Sequence, residues 1–141
     1  MKKIHTLSFA LLLALGSHAQ TISTGGLTYT LDDETLTATL TTFDEAPADS
    51  ILAIPETVTD ETGTKTYTVT AIGDKVFNGS NFNTAYRTKM LGVKKIIVPK
   101  TVQTIGKQAF WITTGKENQY GGSTCSLDSL VFADGSQLRE I

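Results

Sequence analysis

The strongest constraint on this chain is that it repeats itself. Residues Val93-Lys94-Lys95-Ile96-Ile97-Val98-Pro99-Lys100-Thr101-Val102-Gln103-Thr104-Ile105-Gly106-Lys107-Gln108-Ala109-Phe110 form one copy. Ile51-Leu52-Ala53-Ile54-Pro55-Glu56-Thr57-Val58 aligns with its first part, and Val69-Thr70-Ala71-Ile72-Gly73-Asp74-Lys75-Val76-Phe77 with its second. Both copies carry an aliphatic residue before Pro, then Val, then Ile-Gly and a closing Phe. A third copy opens at Leu127-Asp128-Ser129-Leu130-Val131-Phe132 and continues to Leu138-Arg139-Glu140-Ile141. In it Phe132 matches Val98, Leu138 matches Val102 and Ile141 matches Ile105. A unit this short cannot bury its own apolar side, so the copies must stack and share one core.

Apolar residues fall at L-x-x-L-x-L spacing in Val93, Ile96 and Val98 and again in Leu127, Leu130 and Phe132. This is leucine-rich-repeat spacing. It predicts one short strand per repeat, laid beside its neighbour, with the marked residues inward and the intervening ones facing solvent. Aligning the strands puts Ser50, Lys94 and Asp128 in one row, Ile51, Lys95 and Ser129 in a second, and Ala53, Ile97 and Val131 in a third. Lys94 beside Asp128 suggests a cross-strand charge pair, worth only a few tenths of a kcal/mol if exposed. Gly73 and Gly106 fall where the chain must bend tightly, and Phe77 and Phe110 fill the far side of the core.

The segments around Ile54-Pro55, Ile72-Gly73 to Phe77, Val98-Pro99 and Ile105-Gly106 to Phe110 resemble the BspA-type leucine-rich repeats of secreted and surface bacterial proteins. Cys125 stands near the position where the family habitually carries a Cys. The resemblance covers residues 51–141 and implies a mainly β fold, a short leucine-rich-repeat solenoid of about two and a half repeats. It also implies adhesion, as in some family members. The departures are Asp49 at an apolar position, Ala133 in place of Pro, extra residues within Asp134-Gly135-Ser136-Gln137, and a third copy without its Gly-x-x-Ala-Phe.

Ahead of the repeats, residues 20–50 read as a β-hairpin cap. Leu27, Tyr29 and Leu31 alternate with threonines, Asp32-Asp33-Glu34 interrupts, and Leu36, Ala38 and Leu40 alternate again. Residues 1–19 have the parts of a cleavable signal peptide: Lys2 and Lys3, a short apolar run from Leu7 to Leu15, and Ser17-His18-Ala19 before Gln20. The apolar run is shorter than the ~20 residues that span a bilayer. No Cys follows Ala19, which argues against a lipid anchor, and no later segment is apolar enough to cross a membrane. The chain is thus expected to be secreted or displayed at the cell surface, cleaved after Ala19.

Both histidines, His5 and His18, lie in that leader. Residues 20–141 hold no imidazole, which removes Ser-His-Asp and Cys-His nucleophilic sites and zinc sites that need His. With 12 basic against 14 acidic side chains the chain is no dedicated nucleic-acid binder. A single Cys forms neither an internal disulfide nor a Cys-based zinc site. The acidic pairs Asp32-Asp33, Asp44-Glu45 and Asp60-Glu61 fall in turns, where solvation explains them, and none matches a calcium loop. No catalytic residue, metal or cofactor is expected.

Three insertions break the repeat. Residues 59–68 predict a hairpin between Val58 and Val69. Residues 78–91 and 112–124 are polar, follow the Phe position, and carry Phe82, Tyr86, Arg87 and Tyr120, with Trp111 beside them. Aromatic residues with Arg are what binding hot spots use. Together with Lys94, Lys95 and Ile97 on the strand, they are the candidate binding residues for a host protein, matrix component or glycan. Two other readings stand: an accessory module of a carbohydrate-active enzyme, or a structural segment of a longer repeat array. The last strand, residues 127–132, has an open edge, which predicts self-association through it or marginal stability.

Overall fold

A computed structural model of the chain describes residues 19–78, 89–111 and 127–141. Nine strands occur among them: β1 (Gln20–Thr24), β2 (Leu27–Asp32), β3 (Thr37–Phe43), β4 (Ile51–Ala53), β5 (Thr57–Thr59), β6 (Thr66–Ile72), β7 (Lys95–Val98), β8 (Thr104–Ile105) and β9 (Ser129–Phe132). They make two sheets. One is three-stranded in the order β4-β7-β9; the other is six-stranded in the order β1-β2-β3-β6-β5, with β8 added to β6.

The three-stranded sheet is the repeat made visible. Its strands run parallel, with Ile51 opposite Lys95 and Ala53 opposite Ile97, then Lys95 opposite Ser129 and Val98 opposite Phe132. These are the rows the alignment predicts. Leu52, Ile54, Ile96 and Val98 point inward and are buried, while Ile51, Ala53, Lys95 and Ile97 alternate outward. Lys94 and Asp128 share a row, and the Asp128 amide donates to the Lys94 carbonyl at 2.7 Å. Their side chains form no ion pair within 4 Å, so the predicted charge pair is absent.

A second ladder runs beside the first. Ile72 pairs with Ile105 in parallel, and Ile105 N donates to the Glu140 carbonyl at 3.1 Å. The Gly106 amide donates to the Ile72 carbonyl at 2.7 Å, which draws the two Ile-Gly bends into contact. A Cβ on Gly106 would stand 2.6 Å from the Asp74 nitrogen and 2.7 Å from the Gly73 carbonyl carbon. No side chain fits there, whatever the backbone angles. Lys75 and Gln108, equivalent in the two turns, share a left-handed backbone at φ 57° and 58°.

The N-terminal hairpin is more than a lid. Strands β2 and β3 pair antiparallel, with Leu31 opposite Ala38, as the alternation predicts. Leu36 does not join them. It sits before β3 at φ 52° and is 46% exposed, because a four-residue turn needs a left-handed residue to close. Strand β1, which the alternation does not reveal, pairs antiparallel to β2. Strand β3 then runs parallel to β6, with Leu40 opposite Ile72, and the Gly73 amide donates to the Leu40 carbonyl at 2.7 Å. The hairpin therefore imitates the strand of a preceding repeat.

One core runs through hairpin and repeats, from Leu27, Tyr29 and Leu40 through Tyr67, Ile72 and Phe77 to Ile96, Val98 and Ile105. The predicted hairpin at residues 59–68 is present as β5 and β6, with Val58 opposite Tyr67. Its loop winds around Asp60, whose carboxylate accepts from the amides of Thr64 (2.8 Å) and Lys65 (3.2 Å) and the hydroxyls of Thr62 and Thr64.

Candidate binding face

The solvent side of β4, β7 and β9 is the most distinctive surface among the described residues. Parallel strands are usually covered on both sides. Here one side packs on the core and the other carries Ile51, Lys95 and Ser129 in one row and Ala53, Ile97 and Val131 in the next. Ile51 is 43% exposed and Val131 38%. The period-2 alternation forces this result: once Leu52, Ile54, Ile96 and Val98 fill the core, their neighbours must face water. Apolar residues gathered on an exposed face mark interaction sites when they are contiguous. Lys95 puts one cation on it, with Lys94 at its rim.

Of the candidate residues, the structure brings together Lys94, Lys95 and Ile97. Trp111 is half exposed and lies beyond the turn that ends its repeat, where no strand of this sheet carries it. Phe82, Tyr86, Arg87 and Tyr120, with Cys125 and most of the two insertions that hold them, lie outside the described residues, as do residues 1–18. Ile51 and Val131 belong to the face and were recoverable from the row alignment, which places them beside Lys95 and Ile97.

The acidic residues of the turns are occupied locally. Asp32 accepts from the amides of Glu34 and Thr35, and these hydrogen bonds hold its carboxyl below the usual carboxylate range. Asp33 is lowered by a hydrogen bond from the Tyr67 hydroxyl and by Lys65, whose ammonium sits at 2.9 Å. The same bond pushes the Tyr67 hydroxyl up to about 12. At Asp60 burial pulls upward, but the loop hydrogen bonds outweigh it and the net direction is down. None of these three carboxylates is raised as a general acid for glycoside hydrolysis would be. Among the described residues no group of three His, Cys, Asp or Glu side chains is placed to hold a metal ion.

Known structures share this architecture. A leucine-rich repeat protein from Bacteroides capillosus superimposes with a TM-score of 0.56 at 30% identity, covering 80% of this chain and 65% of that one. A leucine rich cell surface protein from Faecalibacterium prausnitzii gives 0.55 at 23% identity, covering 86% of this chain and 30% of that one. The pneumococcal vaccine antigen PcpA gives 0.56 at 22% identity, covering 86% and 28%. This chain thus spans under two thirds of the length of each. No protein-family model matches the chain, and a search of curated proteins finds no relative. The parallel ladders, the Ile-Gly bends and these likenesses agree: the chain is a leucine-rich repeat protein of the bacterial kind that its Pro-to-Phe motifs resemble.

Proposed function

We propose that this chain is a secreted or surface-displayed, non-catalytic recognition module whose β4-β7-β9 face docks an extracellular protein. The observation that carries the reading is the outward row Ala53, Ile97 and Val131 beside Ile51 and Lys95, an apolar strip on a parallel sheet. Binding energy in such contacts concentrates in a few central desolvated residues, and Ile97 sits on the central strand. The leader-like residues 1–19 and the lack of any later histidine support secretion and a binding rather than catalytic role. Two of the similar structures are described as a cell surface protein and a vaccine antigen, which supports the same location.

The test is surface-plasmon binding of the purified protein to a panel of matrix proteins and, in parallel, to a glycan array. Ile97→Asp should weaken protein binding about tenfold or more without changing the far-ultraviolet spectrum. Binding that Ile97→Asp leaves intact, or binding to glycans alone, would move the site off this face.

A further inference from the structure

The central strand of the solvent face carries a charge that the repeat does not require. Lys95 stands between Ile51 on β4 and Ser129 on β9, and neither equivalent is charged. Lysine is depleted in strands, and its common use there is on edge strands, where it blocks unwanted pairing. β7 is flanked by β4 on one side and β9 on the other, so that use does not apply. The next row of the face is hydrocarbon throughout, with Ala53, Ile97 and Val131 side by side.

The protein does not neutralise this cation itself. Among the described residues the ion pairs are Lys65 with Asp33 and Lys100 with Glu56, and no carboxylate lies within 4 Å of the Lys95 ammonium. Asp128 shares the row of Lys94, one residue earlier, and pairs with neither lysine. The Asp49 carboxylate accepts from the Ile51 amide at 3.1 Å. Lys95 is half-buried whereas Lys94 is exposed, so Lys95 belongs to the face and Lys94 to its rim. A partner that covers the apolar row covers this ammonium as well. Taking an ammonium out of water is strongly unfavourable unless an anion meets it, and a partner without one is rejected for that reason.

We propose that Lys95 selects the partner: the face binds an extracellular polypeptide segment that sets an Asp or Glu carboxylate among aliphatic or aromatic side chains. The carboxylate pairs with Lys95, and the apolar groups cover Ile51, Ile97 and Val131. An acidic sugar fits less well. Around Lys95 the face offers one side-chain hydroxyl, that of Ser129, and otherwise hydrocarbon, so the hydroxyls of a sugar ring would be covered without partners. The assignment rests on the β4-β7-β9 face being the docking surface, and it adds the charge that the partner must carry.

The test selects a phage-displayed library of random peptides on the immobilised protein and on its Lys95→Glu and Ile97→Asp variants, each checked for folding by circular dichroism. The unmodified protein should enrich peptides in which Asp or Glu is flanked by apolar residues. Lys95→Glu should enrich Lys or Arg at that place, and Ile97→Asp should enrich neither. The leading acidic peptide, labelled and titrated by fluorescence anisotropy, should lose about tenfold or more in affinity when its acid is changed to the amide, and as much when Lys95 is changed to Met. The two losses should not add, because each removes the same pair. Additive losses, enrichment without acidic bias, an acidic bias that Lys95→Glu leaves unchanged, or no enrichment at all would overturn the proposal. So would Lys95-dependent binding confined to carboxylated glycans on an array. Where peptides are enriched without regard to Lys95, their loss in Ile97→Asp keeps the docking face and rejects only the role of Lys95, whereas their retention rejects both.

Discussion

The Phe43 ring lies 5.8 Å from the Phe77 ring, tilted by 47°, and Phe77 stacks on Phe110 at 5.1 Å and 13°. Phe77 and Phe110 close successive repeats; Phe43 ends β3 of the hairpin. The column therefore crosses from the cap into the solenoid, and the cap is energetically part of the array. Phe77→Ala should cost about 3–5 kcal/mol. Phe43→Ala, at 1% exposure, should cost a similar amount, and Phe110→Ala less, because Phe110 is only half-buried. Urea denaturation should show a single transition in all three variants. A separate early transition for Phe43→Ala would show that the hairpin folds apart from the repeats.

Gly106 is required by a close approach rather than by its backbone angles. Gly106→Ala drives a Cβ into the Asp74 backbone, and overpacking of this kind costs about 1–3 kcal/mol. Urea midpoints compared with the unmodified protein read this directly. A midpoint shift near zero would mean that the two Ile-Gly bends are not in contact.

Two buried tyrosines should respond oppositely to loss of their hydroxyls. The Tyr29 hydroxyl is fully buried and has no hydrogen-bond partner among the described residues, and burial pushes its pKa up. Tyr29→Phe should be neutral or stabilise by up to about 1 kcal/mol, because it removes an unsatisfied polar group. The Tyr67 hydroxyl donates to Asp33, so Tyr67→Phe should destabilise. Thermal melts of the two variants at neutral pH test the contrast.

Stability should fall at both ends of the pH scale, and the Asp33–Tyr67 bond contributes to each. Asp33 is held below its ordinary value of 3.8, so its contribution is complete above that value and is lost as pH falls further. Asp32 and Asp60 act in the same direction. Tyr67 is raised from 10.0 to about 12, so its contribution is complete below pH 10 and is lost as pH rises through about 12. Asp33→Asn should flatten part of both arms of a plot of melting temperature against pH. An unchanged alkaline arm would mean that Asp33 does not hold the Tyr67 proton.

The repeat register was legible in the sequence because Pro55, Pro99, Gly73 and Gly106 punctuate it. Proline ends a ladder by lacking an N–H, and Gly106 marks a place where neighbouring bends approach too closely for a side chain. The rows through Lys94, Lys95 and Ile97 followed at once. The hairpin of β2 and β3 was legible from threonine alternation, but its parallel docking on β6 was not. Leu40 and Phe43 play the parts of Ile72 and Phe77 with different spacing and no Ile-Gly, so no alignment finds them. Strand β1 was missed because Gln20-Thr21-Ile22-Ser23-Thr24 is polar and only Ile22 packs on the core. Leu36 misled because its φ is set by turn closure rather than by apolar character. Lys94 and Asp128 stood in the expected row, yet an exposed pair gains too little from contact to hold two flexible chains together.

The claim that everything else depends on is that the rungs are equivalent and stacked in register. Nuclear Overhauser contacts in the methyl- and aromatic-labelled protein test it most directly. The account predicts cross-peaks linking Leu52 to Ile96, Ile96 to Leu130, Val98 to Phe132, and Leu40 to Ile72 to Ile105. Finding Ile54, Val98 and Phe132 each surrounded by unrelated neighbours, with none of these cross-peaks, would contradict it.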